Sequence, residues 1–62
     1  MTKKDHKAMQ TCLDNGIRIF SNQKRQIKIE KDGRVVKIYN VPRRENVSKK
    51  IISAYHYYLE SL

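Results

Sequence analysis

Gln26-Ile27-Lys28-Ile29-Glu30-Lys31-Asp32-Gly33-Arg34-Val35-Val36-Lys37-Ile38-Tyr39 is the stretch that decides the fold. Asp-Gly between two runs of alternating residues is the strongest local signal for a β-hairpin. It predicts strands over 26–31 and 34–39. A two-residue loop also sets the register. Lys31 should face Arg34, Glu30 should face Val35, and Ile29 should face Val36. Lys28 should then face Lys37, and Ile27 should face Ile38. On that register Ile27, Ile29, Val36 and Ile38 share one face, as a single buried face requires. The other face takes Lys28, Glu30, Val35, Lys37 and Tyr39. Lys28 opposite Lys37 is a like-charge pair that costs a little stability unless an anion screens it.

Upstream of the hairpin, Ile17-Arg18-Ile19-Phe20 alternates briefly and predicts a first strand over 17–20, followed by a polar loop over 21–25. Residues 3–14 predict a helix. Ala8, Met9, Cys12 and Leu13 fall on one face of it, and Asn15-Gly16 is its stop signal. Lys3, Lys4, Lys7 and Gln10 then face outward, and Asp5 offsets the lysines at the helix start. Downstream, Pro42 cannot donate to a ladder, so the hairpin ends near Val41. Asn46 or Ser48 can cap a closing helix. Its apolar stripe is Val47, Ile51, Tyr55, Tyr58 and Leu62, widened by Ile52 and Leu59. The fold class expected is α+β in the order α-β-β-β-α. A three-stranded antiparallel meander packs against two helices, in one small domain over 1–62.

Charge is the main pointer to function. Fourteen Lys and Arg face six Asp and Glu, giving a formal net charge of +8 on 62 residues. Arg43, Arg44, Lys49 and Lys50 cluster where the closing helix begins. A helix N-terminus carries partial positive charge, so cations there are unfavourable unless an anion arrives. A phosphate fits that role. Lys24 and Arg25 form a second basic group, which Arg18, Lys28 and Lys37 extend across the sheet. The candidate nucleic-acid contacts are therefore Arg43, Arg44, Lys49, Lys50, Lys24, Arg25, Lys28 and Lys37. Tyr55 and Tyr58 lie on the apolar stripe and read as core. Tyr57 and His56 point away from it, and an exposed Tyr there has the face to stack a base.

Catalytic chemistry finds little support. His6 and His56 lie near opposite ends of the chain, without Cys or carboxylate at metal-ligand spacing. His56 and Glu60, four apart on a helix, can share a hydrogen bond. Paired acids, a nucleophile motif and a glycine-rich phosphate loop are all missing from the sequence. No metal or other cofactor is expected, and the reading leans away from an enzyme. Cys12 reads as a small core residue, and a lone cysteine suits a reducing cytoplasm. No apolar run approaches the roughly 18 residues of a membrane span. The first residues have charge but no apolar core of a secretory signal.

The element order resembles the double-stranded-RNA-binding-domain fold. Ser48-Lys49-Lys50 is similar to that family's lysine pair at the start of its second helix, which implies phosphate contacts across a groove. Where that family continues with alanines, this chain has Ile51-Ile52-Ser53-Ala54-Tyr55. A longer resemblance runs through Leu13-Asp14-Asn15-Gly16, the segment Gln26–Val36 with its Asp32-Gly33 turn, Val41-Pro42-Arg43 and the closing helix. These look like the HicA-type mRNA-interferase toxins, which share the fold. Gln23-Lys24-Arg25 stands where those toxins have Gly-Ser-His, so their catalytic histidine has no counterpart here.

The expectation is a small basic nucleic-acid-binding protein, RNA favoured, that does not cleave its ligand. A DNA-binding module like the phage-integrase arm domain or an excisionase is the nearest alternative, with Lys28, Glu30, Val35 and Lys37 reading bases. A phage or mobile-element protein that blocks an acidic host protein is a second alternative. A degenerate toxin using His56 is a third. A homodimer through the hairpin edge is also open.

Overall fold

The first helix begins with a reciprocal cap. Thr2 Oγ1 accepts from the Asp5 N–H at 3.2 Å, and Asp5 Oδ2 accepts from the Thr2 N–H at 3.1 Å. Two of the donors that a helix start leaves unpaired are thereby satisfied. The computed structural model describes residues 2–62, and α1 spans Lys3–Asp14. Gly16 follows at φ +80 and turns the chain into β1, Ile17–Ser21. A Cβ at position 16 would press only on the Asp32 carboxylate, which can swing aside, so it is the positive φ that calls for glycine in this turn. β2 is Gln26–Lys31, β3 is Arg34–Asn40 and α2 is Val47–Leu59, with the sheet ordered β1-β2-β3. The α+β meander with two helices is the expected architecture.

The hairpin turn is as the sequence predicts. Asp32 and Gly33 have φ of 53 and 84, the two positive values of a type I′ turn. Lys31 faces Arg34 and Glu30 faces Val35. A bulge then shifts the register, so Ile29 faces Lys37, Lys28 faces Ile38 and Ile27 faces Tyr39. The expected pairing beyond Glu30 is therefore corrected. Val36 and Ile38 are not core: they are 55% and 52% exposed. Lys37 and Tyr39 turn to the helix side, and Lys28 does not oppose Lys37.

The end of the strand supplies the physical reason. With uninterrupted alternation Asn40 would point inward and Val41 outward. One extra residue reverses this: Val41 is buried, and Asn40 turns out, where Gln26 Nε2 donates to its Oδ1 at 3.1 Å. Burying valine rather than an unpartnered amide is the favourable choice.

The core is a single cluster of Cys12, Ile17, Ile19, Ile27, Ile29, Val41 and Tyr55, with Met9, Val47, Ile51, Ala54, Tyr58 and Leu59 packed around it. Leu13 and Leu62, expected on the apolar stripes, are exposed. The helices pack on each other and on β1.

This treats the two sheet edges differently. Tyr55 Oη accepts from the Ile19 N–H and donates to the Ile19 carbonyl, each at 3.1 Å, so a helix side chain satisfies both backbone groups of one β1 residue. β3 has no such cover and is exposed along its whole length. The bulge and the basic Arg34 and Lys37 blunt that edge against uncontrolled pairing. Tyr55→Phe keeps the ring and strips both partners from Ile19. It is expected to cost about 1–3 kcal/mol in urea unfolding with an unchanged m-value.

α1 and α2 are also tied by a side-chain contact. His56 Nε2 lies 2.7 Å from Asp5 Oδ1, so His56 meets the first helix rather than Glu60. This hydrogen bond, followed by the Thr2 N–H, holds the Asp5 carboxyl below the ordinary carboxylate range. A depressed folded-state value stabilises above the unfolded pKa and is lost as pH falls through the folded one. The melting temperature should therefore drop on acidification below about pH 4. An Asp5→Asn variant should show a smaller drop over the same range.

Candidate nucleic-acid interface

Pro42 to Glu45 form a tight turn closed by the Glu45 N–H donating to the Pro42 carbonyl at 3.0 Å. Arg43 and Arg44 occupy its two central positions and are exposed. Asn46 follows directly as the cap of α2, its Oδ1 accepting from the Lys49 N–H at 3.1 Å. Of the two expected caps, Asn46 is the one used. The first turn of α2 contains no acidic residue, and Lys49 is exposed on it. Arg43, Arg44 and Lys49 thus stand within one turn and one helical turn of each other, at the positive end of a helix dipole.

Arg25 holds this arrangement together. Its guanidinium donates to the Pro42 carbonyl at 2.9 Å, to the Glu45 carbonyl, and to the Val41 carbonyl at 3.5 Å. Its own carbonyl accepts from the Val41 N–H at 2.9 Å. The backbone takes a φ of 58, which a non-glycine residue adopts only when its surroundings impose it. Arg25 is one of the candidate phosphate contacts, and its Nε and Nη2 groups brace the turn that carries Arg43 and Arg44. It also brings the loop before β2 against that turn. Lys24 is exposed on the same loop, its N–H donating to Asn22 Oδ1 at 2.9 Å.

Lys50 behaves differently from Lys49. It pairs with Glu45 at 2.8 Å, and that hydrogen bond raises its pKa. Its stem lines a half-open groove of about 480 Å³ between β3 and α2. Ile27 and Ile29 form the apolar part of the lining, Lys37 and Tyr39 come from β3, and Tyr57 and Tyr58 come from α2. Uninterrupted alternation puts Lys37 on the outer sheet face. The bulge brings it into this groove.

The outer face of the sheet therefore carries Arg18, Phe20, Lys28, Glu30, Val35 and Ile38. Phe20 sits opposite Lys28, and the Arg18 guanidinium lies 5.8 Å from the Phe20 ring. The eight candidate contacts divide accordingly. Arg43, Arg44 and Lys49 flank the start of α2, and Lys24 lies on the loop that Arg25 ties to the turn before it. Lys37 and Lys50 line the adjoining groove, Lys28 lies on the far face, and Arg25 is internal bracing.

Among the described residues, Lys50 is the only Lys or Arg within ion-pair distance of a carboxylate. The other Lys and Arg side chains of the described residues stand without a carboxylate at ion-pair distance. No three His, Cys, Asp or Glu side chains converge as metal ligands among the described residues. No described helix is long and apolar enough to cross a membrane. Compared with protein-family models, with curated proteins and with solved structures, the chain matches none.

Proposed function

We propose that this protein binds nucleic acid, with RNA favoured, through phosphate contacts from Arg43, Arg44, Lys49 and Lys24, and that it does not cleave its ligand. The observation that carries the reading is the braced Pro42–Glu45 turn. Arg25 holds two uncompensated arginines beside the start of a helix whose first turn has no acid. Like charges gathered on a rigid support are costly alone, and a polyanion relieves that cost. Binding of this kind is mostly electrostatic and only weakly sequence-dependent. A reducing compartment such as the cytoplasm suits Cys12, a free thiol buried in the core.

The test is a fluorescence-anisotropy titration against single-stranded RNA, double-stranded RNA and duplex DNA at low and moderate salt. Salt-sensitive binding, tighter to RNA, is the expected result. Absence of binding to all of them at low salt would refute the reading. Tighter binding to duplex DNA would move the ligand to DNA.

A further inference from the structure

The groove between β3 and α2 combines features that the basic turn lacks. Tyr57 is 68% exposed, yet its orientation is set by an edge-to-face contact with Tyr58, with centroids 5.3 Å apart and planes at 83°. Tyr39, on β3, lines the same groove and is 39% exposed. A large aromatic surface left in solvent is unfavourable unless something covers it. The Lys37 side chain lies on the same lining without a carboxylate partner, the stem of the Glu45-paired Lys50 lies beside it, and the space of about 480 Å³ is within the range of small-ligand sites. Aromatic faces with cations alongside are what an unpaired nucleotide requires: the base stacks and its phosphate meets an ammonium. A paired base in a duplex has its faces covered by its neighbours and gains nothing here. A second copy of this chain is a poor occupant, because it would bring a charge of +8 against +8.

Resting on the nucleic-acid reading above, we infer that this groove seats an unpaired base, stacked on Tyr57 beside Tyr39, while Lys37, which has no carboxylate partner, holds a flanking phosphate. The ligand class is then single-stranded nucleic acid or the unpaired end or loop of a folded RNA. The basic turn would guide the backbone that leads into the groove.

The test compares wild type with Tyr57→Ala, Tyr57→Phe and Tyr39→Ala on a short single-stranded RNA, a duplex RNA and inorganic polyphosphate. Tyr57 is mostly exposed, so its removal leaves the core intact. Tyr57→Ala is expected to weaken single-strand binding by about 5- to 150-fold, the range for losing one base–aromatic stack. Tyr57→Phe should bind as wild type does. Duplex RNA and polyphosphate, which present no free base, should be unaffected by any of the three. The chain has no tryptophan, so its fluorescence is that of its four tyrosines, and quenching by the single strand but not by polyphosphate should shrink in Tyr57→Ala.

Equal losses on the single strand and on polyphosphate would overturn the inference. So would wild-type single-strand affinity in Tyr57→Ala, with the basic-turn reading left standing. A glutamate-rich peptide that binds through Tyr57 more tightly than RNA does would replace the nucleotide with a protein segment. Failure of the wild type to bind any of the nucleic acids would remove both readings.

Discussion

Ile27→Ala is expected to destabilise the protein by about 2–5 kcal/mol, and Ile38→Ala by less than about 0.5 kcal/mol. The two isoleucines share a hairpin and, by simple alternation, a face. The bulge separates them. Ile27 is 2% exposed inside the core cluster, and Ile38 is 52% exposed on the opposite side of the sheet. Truncating Ile27 removes buried methyl groups and leaves a void among Cys12, Ile29 and Tyr55. Truncating Ile38 changes only solvated surface. A chain of 62 residues has a total stability of roughly 3–9 kcal/mol, so Ile27→Ala should remove much of it and leave a large unfolded fraction at room temperature. Urea titration followed by circular dichroism distinguishes the cases. Comparable losses in the two variants would mean the uninterrupted register, with Ile38 in the core.

The same comparison shows which parts of the fold are legible in the sequence. Asp32-Gly33 announces its turn because only a small set of residues tolerates two positive φ values in succession. Asn15-Gly16 and Asn46 mark helix ends for reasons equally local. The bulge is not announced. Val35-Val36 places an apolar residue on either face, so the pattern fits both phases of β3. The deciding fact is the competition between Asn40 and Val41 for the inward position, which depends on a core the hairpin alone does not define. Tyr55 is legible as a core residue from the helical stripe. Its bond to Ile19, 36 positions away, is not, because it depends on where α2 crosses β1.

The candidate site divides along the same line. Arg43, Arg44 and Lys49 are legible as a cluster because they are close in sequence and flank a cap. The role of Arg25 is hidden, since its partners lie 16 to 20 residues away and its backbone adopts a conformation that arginine does not advertise. The groove is hidden too. It exists because the bulge turns Lys37 and Tyr39 toward α2, and the sequence pattern sends them the other way.

Replacing Arg43, Arg44 and Lys49 together with alanine is expected to weaken single-stranded RNA binding by about 100-fold at roughly 0.1 M salt. Each phosphate contact on a single strand releases about 0.7 of a counterion, worth about a factor of 5 at that concentration. Three contacts therefore multiply to about 100. The slope of log affinity against log salt should fall by about 2 for a single strand and about 3 for a duplex, with the loss similar across sequences. All three side chains are exposed and without carboxylate partners among the described residues, so the variant should melt at or above the wild-type temperature. Relief of like-charge repulsion acts in that direction. An unchanged slope would show that phosphates are met elsewhere, the lysines of α1 being the next exposed group.

The most direct measurement is a two-dimensional ¹⁵N–¹H NMR titration of the wild-type protein with a short single-stranded RNA at low salt. The proposed site predicts the largest amide shifts over Arg43–Lys50 and at Lys24, with a second group at Lys37, Tyr39 and Tyr57. The amides of α1 and of the outer sheet face should remain in place. Shifts confined to Lys3, Lys4 and Lys7, or a spectrum unmoved by excess RNA, would contradict it.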